Sequence, residues 1–122
     1  MTWMYHQSTG DLFHNALFVG TGYSGKGKTL AEGRNNGALE DVARVGPIPR
    51  GEWKIGNPVN KPHTGPLSMP LSPVGHDAHG RSAFLIHGNN AANNASIGCI
   101  IMAKGIRSDI AASGDHVLQV VA

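Results

Sequence analysis

The residues best suited to chemistry are His87 and Cys99, and this cysteine is the only one in the chain. An apolar run over residues 83–86 ends at the histidine, and a second apolar run begins at the cysteine. The residues between them are small, polar and rich in asparagine. This pattern predicts two β-strands that flank a loop. If the strands are neighbours, the imidazole and the thiol can meet across the mouth of the loop.

A cysteine beside a histidine can act as a nucleophile. The thiol attacks a carbonyl only as its thiolate, and an unassisted thiol is mostly protonated near neutral pH. A histidine within hydrogen-bond reach takes that proton and later returns it to a leaving amine. Strand alternation puts Leu85 and His87 on one face. No acidic residue lies near His87 in the sequence, so we expect a backbone carbonyl to orient its ring.

Two residues of the loop have chemical roles of their own. Gly98 permits a backbone with positive φ, which lets the amides of Gly98 and Cys99 point at one spot and hold an oxyanion. Ser96 either adds a hydroxyl to that site or braces the turn, and the sequence leaves both open. A competing interpretation also stands, because a lone cysteine at the start of a strand is commonly a small buried hydrophobe.

Composition limits the classes of protein that are possible. The length of 122 residues predicts one domain, residues 1–122. The net charge of +2, with scattered basic residues, does not indicate a nucleic-acid partner. A single cysteine excludes an internal disulfide. No apolar run reaches the roughly 18 residues of a membrane span. The first residues lack a signal-peptide pattern, so we expect synthesis in the cytoplasm and delivery by another route.

The amino-terminal third predicts a β-hairpin followed by a loop. Residues 2–7 alternate as a half-buried strand, residues 8–11 have turn composition, and residues 12–19 resume as one strand. Residues 20–37 are rich in glycine and predict a loop. Within it, Gly22 to Thr29 match the phosphate-loop pattern, but any following helix would last about one turn, so the match does not support nucleotide binding.

The remaining chain predicts further strands and one clear helix. Residues 38–45 fit a short helix or a strand equally well. Residues 52–56 alternate, whereas residues 57–80 hold many prolines and predict a long loop, of a length often found in lids and substrate grooves. Residues 104–113 predict a short helix ended by a glycine, and residues 116–121 a closing strand. The expected fold is mainly β, with about six to eight short strands and one or two short helices.

A metal site is a second chemical possibility. His76 and His79 form an H-x-x-H pair, and His87 with Cys99 could complete a zinc set. The pair is expected in a loop rather than on a helix, so its spacing alone favours zinc only weakly.

Several blocks, in this order, support a resemblance to a known family. They span Trp3 to Gly10, Tyr23-Ser24-Gly25, Val45 to Ile55, His79 to Gly88, and Ser96 to Ile100. The final block with its preceding His-Gly resembles the L,D-transpeptidase catalytic domain. Together the blocks resemble more closely a compact subgroup found among type VI secretion effectors and related phage or prophage proteins.

This resemblance implies a β-sandwich-like L,D-transpeptidase domain that acts on the stem peptide of peptidoglycan. Cys99 would attack the carbonyl of the third stem residue and release the terminal D-alanine through a thioester. An amine acceptor would make the protein an L,D-transpeptidase, and water would make it an L,D-carboxypeptidase. His87 would serve as base and then acid, with Gly98 and Ser96 in the oxyanion and nucleophile loop. No cofactor is implied.

The resemblance also implies substrate-binding roles for Tyr23, Ser24 and Arg81. For Arg81, a stem-peptide carboxylate and a structural ion pair are both open. Two positions depart from the larger transpeptidases, which have His between the Ser and Gly of the loop and Arg two residues after the cysteine. Here those positions are Ile97 and Ile101. The departures put efficient cross-linking in doubt more than they do formation of the acyl-enzyme.

The implied biological role is that of an antibacterial secreted effector acting in the periplasm of a target cell. Its expected partners are peptidoglycan stem peptides, a secretion apparatus and a cognate immunity protein. Two other functions stay open. One is a non-catalytic cell-wall-binding or phage structural module, and the other is a zinc-dependent hydrolase.

Overall fold

A computed structural model describes residues 2–122 and contains one mixed β-sheet and one α-helix. Short 3₁₀ turns occur at Gly37–Leu39 and Ala78–Gly80. The regular elements are β1 (Trp3–His6), β2 (Asp11–His14), β3 (Leu17–Thr21), β4 (Tyr23–Ser24), β5 (Gly51–Ile55), β6 (Val59–Lys61), β7 (Gly65–Val74), β8 (Phe84–His87), β9 (Ile100–Ile101), α1 (Lys104–Ser113) and β10 (Val117–Val121). The predicted mainly-β class is confirmed.

The sheet follows the strand order β3-β2-β1-β10-β5-β7-β8-β9-β4, and β6 pairs with β7 beside this path. Most pairs are antiparallel, but β1–β10 and β8–β9 are parallel. The path nearly closes into a barrel, because the Gly22 amide next to β4 donates to the Gly10 carbonyl next to β2 at 2.8 Å. Gly10 has φ 78, and a side chain there would overlap the Gly22 carbonyl.

The hydrophobic core lies inside this curved sheet. Alternate residues of the strands supply it, including Trp53, which is fully buried and donates from its indole Nε1 to the Pro49 carbonyl at 3.1 Å. Ile55 is also buried, so the alternation expected over residues 52–56 is confirmed. On β8, Phe84 and Ile86 point into the core, so the neighbouring residues of that strand face the other side.

The amino terminus forms three strands instead of a single hairpin. A turn is present, but it covers residues 7–9 rather than 8–11, because Asp11 already begins β2, and the strand predicted over residues 12–19 is wrong. Asn15 and Ala16 take φ values of 49 and 68 and form a tight turn between β2 and β3. The second of these residues is alanine rather than the glycine that usually marks such a turn, so the sequence pattern did not reveal it.

The prediction of a loop over residues 57–80 is also wrong. This segment forms β6 and the ten-residue β7, which pairs with β5, β6 and β8. Proline cannot donate to a ladder but can still accept, and the Pro70 carbonyl accepts from the Gly56 amide at 2.7 Å. The neighbouring strands on both sides therefore stabilise β7 as a strand, although its prolines alone argue against one.

The carboxyl-terminal predictions are confirmed. Helix α1 covers Lys104–Ser113 and ends at Gly114, whose φ of 69 is the left-handed conformation typical of a helix end. Ile110 is buried, and Ile106 packs against the core. The closing strand is β10. Within residues 2–122, no helix has the length and apolar character that crossing a membrane requires.

We expect Gly10→Ala to lower the free energy of unfolding by about 3 kcal/mol, because a Cβ would combine left-handed strain with overlap on the Gly22 carbonyl. Gly75→Ala is the matched control, since Gly75 has φ 77 with open space around it. This control should lose only about 1 kcal/mol. Urea denaturation measures both. Equal losses would show that the contact with Gly22 contributes nothing.

Candidate active site

His87 and Cys99 lie on neighbouring strands, as the sequence predicts, but the strands run parallel. Ile86 pairs with Ile100 and His87 with Ile101, so Cys99 lies two positions before the partner of His87. A strand spacing of about 4.8 Å and a rise of about 3.3 Å per residue put the two Cα atoms about 8 Å apart. The two residues therefore meet diagonally on one face rather than across the mouth of the loop.

The ring of His87 is held by its neighbouring carbonyl. Nδ1 lies 2.9 Å from the Gly88 oxygen, which confirms the expected backbone partner and fixes the proton on Nδ1. Nε2 is left as a proton acceptor. Burial lowers the pKa of His87, the Gly88 carbonyl opposes this, and the positive charge of Arg107 lowers the pKa further. The imidazole is therefore neutral near neutral pH, as a general base must be.

The Cys99 thiol lies against the first residues of β8. Its sulfur is 3.7 Å from the Ala83 carbonyl oxygen. Burial raises the pKa of Cys99, while the Leu85 amide and the Arg81 guanidinium act in the opposite direction. No hydrogen bond joins this thiol to the His87 ring in the described structure. The resting pair is therefore a neutral thiol and a neutral imidazole.

Ser96 braces the nucleophile loop. Its buried hydroxyl donates to the Cys99 carbonyl at 2.6 Å and accepts from the amides of Gly98 and Gly25, both at 3.0 Å. Of the two roles that the sequence left open, the structure supports the bracing one. It also corrects the expected oxyanion site, because the Gly98 amide is already bonded to Ser96. The Cys99 amide remains as the backbone donor beside the sulfur.

Gly98 is required for a different reason. Its φ is 144, and a Cβ there would lie 2.6 Å from Nη2 of Arg81. Its carbonyl accepts from the hydroxyl of Ser24 at 3.0 Å. A larger residue would therefore displace either the guanidinium or the loop that carries the nucleophile.

Arg81 connects the nucleophile loop to the segment before β5. Nη1 donates to the carbonyls of Glu40 and Pro47 at 2.6 and 2.8 Å, and Nη2 donates to those of Gly46 and Ile97 at 3.1 and 3.4 Å. These bonds use all four Nη hydrogens, so the guanidinium has no free fork for a carboxylate. The sequence left open a stem-peptide carboxylate or a structural ion pair as the partner of Arg81, and neither role includes this contact with backbone carbonyls.

Tyr23 and Ser24 bind the protein itself. The Tyr23 hydroxyl donates to Asn89 Oδ1 at 2.6 Å and accepts from the Ala95 amide at 2.8 Å, which ties the asparagine-rich loop to β4. Ser24 is completely buried and accepts from the Ile48 amide at 2.8 Å. These contacts indicate positioning roles, and the expected contacts with substrate stay predictions.

Arg107 is a functional neighbour that sequence reasoning missed. This buried α1 residue donates from Nε to the Met102 carbonyl at 3.0 Å and from Nη1 to the Pro66 carbonyl at 2.7 Å. Its Nη2 approaches Gly88 so closely that a Cβ there would lie 2.8 Å away. Only the tertiary fold brings this charge to the histidine, and no local sequence pattern marks it.

A cavity of about 380 Å³ opens at Cys99, and its size suits a small peptide ligand. Its lining includes Arg44, Arg81, Ile97 and Gly98. A larger hollow of about 510 Å³ lies on the outer face of β1 and β2, lined by residues such as Phe13, but it holds no nucleophile. The cavity at the thiol is therefore the candidate active site.

The zinc alternative gains no geometric support. Nε2 of His76 lies 2.9 Å from the Glu52 carbonyl, and its Nδ1 accepts from the Ala78 amide, so both ring nitrogens are engaged. His79 faces the Glu40 carboxylate instead. Across residues 2–122, no group of three or more His, Cys, Asp or Glu side chains has the arrangement of a metal site.

A family model described as the Tlde1 domain matches residues 19–121, which includes both residues of the candidate pair. No curated protein matches the chain.

We expect alkylation of Cys99 by iodoacetamide to be slow at neutral pH and to keep accelerating beyond about pH 8.5, because burial raises the thiol pKa. Cys99 is the only cysteine, so mass spectrometry reports this site alone. His87→Ala should leave the profile unchanged, since the resting ring makes no bond to the thiol. A plateau near pH 6 that disappears in His87→Ala would instead show a preformed thiolate–imidazolium pair.

Proposed function

The chain belongs to the Tlde1 domain family, a family of type VI secretion effectors, and we propose that it is an antibacterial effector that attacks peptidoglycan stem peptides through Cys99. The proposed reaction is L,D-carboxypeptidase or L,D-transpeptidase chemistry on tetrapeptide stems. The resemblance of the His-Gly and Ser-Ile-Gly-Cys blocks to L,D-transpeptidases supports this substrate class. The observation that carries the proposal is that His87, whose imidazole is neutral, and the only thiol lie diagonally on neighbouring parallel strands, with a cavity that opens at the thiol.

The reaction begins with proton transfer from the thiol to His87. Rotation of the Cys99 side chain away from the Ala83 carbonyl brings the sulfur towards Nε2 across the diagonal spacing of the two residues. The sulfur then attacks the carbonyl of the third stem residue, and the Cys99 amide stabilises the oxyanion. As the intermediate collapses, the carbon–nitrogen bond breaks, His87 gives its proton to the leaving D-alanine amine, and a thioester remains on Cys99.

The second half of the reaction releases the acyl group. Water, deprotonated by His87, attacks the thioester and gives a tripeptide with a free carboxylate, which is the carboxypeptidase outcome. An amine attacks in the same way and gives an exchanged or cross-linked product. In both cases His87 returns the proton to the sulfur and restores the starting enzyme. The acceptor alone separates the two activities.

The resting protonation states fit a general-base mechanism. The histidine whose pKa is lowered stays neutral at pH 7, and the thiol keeps its proton until substrate is bound. Activity should therefore fall on the acidic side only below about pH 6.5, the ordinary histidine pKa.

We expect Cys99→Ala to abolish release of D-alanine from purified tetrapeptide muropeptides, because no other thiol is present. His87→Ala should lower kcat/KM by about 10²- to 10⁴-fold. His79→Ala is the matched control, since this ring faces Glu40 rather than the thiol, and it should retain activity. Mass spectrometry of the products distinguishes tripeptides from exchanged or joined stems.

Two results would contradict the assignment. Full D-alanine release by Cys99→Ala would exclude the thiol mechanism. Loss of activity in His79→Ala together with inhibition of the unchanged protein by a chelator would favour the zinc-dependent hydrolase.

We expect growth arrest or lysis when the chain is directed to the periplasm of a susceptible bacterium by an added signal sequence, and normal growth when it stays in the cytoplasm. The stem peptides lie outside the cytoplasmic membrane, so only the first location gives access to them. Cys99→Ala should be harmless in both places. Equal toxicity of Cys99→Ala would indicate a wall-binding module without catalysis. A cognate immunity protein, if co-expressed, should protect the cell.

A further inference from the structure

The cavity at Cys99 has one arginine whose guanidinium the protein does not use. Arg44 is exposed and lines this cavity together with the nucleophile. Within residues 2–122, its side chain makes no hydrogen bond, and none of the ion pairs includes it. The nearby Glu40 carboxylate is already engaged by Arg50 at 3.0 Å. The charge of Arg44 is therefore available to a ligand.

The second arginine of the cavity has no such freedom. All four Nη hydrogens of Arg81 are directed to backbone carbonyls, so it cannot offer the planar fork that recognises a carboxylate. The positive charge of Arg81 still acts on the site, but its hydrogen bonds are made to the protein itself. Recognition of a substrate carboxylate in this cavity falls to the other arginine.

The backbone around this cavity is also unusual. Arg44 and Ala83 both have φ 65, and Gly80 and Gly98 have φ values of 73 and 144. Non-glycine residues rarely adopt such values, and residues in these conformations cluster at functional sites. Two such non-glycine residues, Arg44 and Ala83, line one cavity, and the first of them carries the unpaired guanidinium.

We propose that Arg44 binds a carboxylate of the peptide substrate at the mouth of the cavity that leads to Cys99. This inference rests on the proposed function and extends it to the specificity of the site. A tetrapeptide stem offers two carboxylates near the bond that breaks: the carboxyl terminus of D-alanine and the side chain of diaminopimelate. Both have the geometry that a guanidinium binds with two parallel hydrogen bonds.

The test measures binding rather than turnover, so it is independent of the catalytic step. Cys99→Ala protein is titrated calorimetrically with three ligands: the tetrapeptide, the tetrapeptide ending in D-alaninamide, and the tetrapeptide amidated on the diaminopimelate side chain. The titrations are repeated with the Cys99→Ala protein that also carries Arg44→Gln or Arg44→Lys. Lys61→Gln is the control, because Lys61 is an exposed cation on β6 outside the cavity.

We expect Arg44→Gln to weaken binding of the tetrapeptide about tenfold or more, and Arg44→Lys to restore part of the loss. Lys61→Gln should change nothing. In the Cys99→Ala protein that keeps Arg44, one of the two amidated ligands should bind about tenfold more weakly than the unmodified tetrapeptide. Adding Arg44→Gln should not weaken the binding of that amidated ligand further. The ligand that behaves in this way identifies the carboxylate.

Several results would overturn the inference. These are unchanged tetrapeptide affinity in Arg44→Gln, an equal loss for all three ligands, and the absence of tetrapeptide binding by the Cys99→Ala protein. Thermal unfolding of each variant checks that the fold is retained, and the amidated ligands test the contact without any change at Arg44. Failure of the proposed function appears differently, as an absence of D-alanine release by the unchanged protein although the peptide still binds.

Discussion

The geometry of the candidate site depends on the parallel pairing of β8 with β9. Parallel neighbours cannot be joined by a tight turn, so the chain after His87 must travel back along the strand before β9 begins. Most such connections are helices, but here an irregular asparagine-rich segment makes the return. It delivers Cys99 beside Ala83 and Leu85, at the start of β8, whereas the histidine lies at its end. The diagonal relation of sulfur and imidazole follows from this topology.

The returning segment has almost no apolar side chains, so buried hydroxyls hold it in place. Tyr23, Ser24 and Ser96 each use one oxygen both to donate and to accept, and together they bind the two ends of the segment to β4 and to the chain before β5. Buried polar groups are rarely left without such partners. This bracing has a consequence for catalysis. The Gly98 amide, which could have faced an oxyanion, is engaged by Ser96.

The sequence predicted the neighbouring strands at His87 and Cys99, the backbone partner of the His87 ring and the helix that ends at Gly114, because each depends on residues close in the chain. It did not predict β7, whose prolines argue against a strand until partners on both sides are known. It also did not reveal that Arg81 binds backbone carbonyls, since those carbonyls lie 16 to 41 positions away. Features that depend on neighbouring residues could therefore be predicted from the sequence, whereas long-range hydrogen bonds could not.

The central claim is that Cys99 becomes a nucleophile through His87 and carries the substrate as a thioester. The most direct measurement is the intact mass of the protein within seconds of mixing with tetrapeptide muropeptide, followed by peptide mapping of the modified residue. The account predicts an added mass on Cys99 equal to the muropeptide acyl group that remains when D-alanine leaves, sugar and tripeptide together, and no such adduct in His87→Ala under the same conditions. Release of D-alanine without any adduct, or an adduct formed equally well without the imidazole, would contradict it.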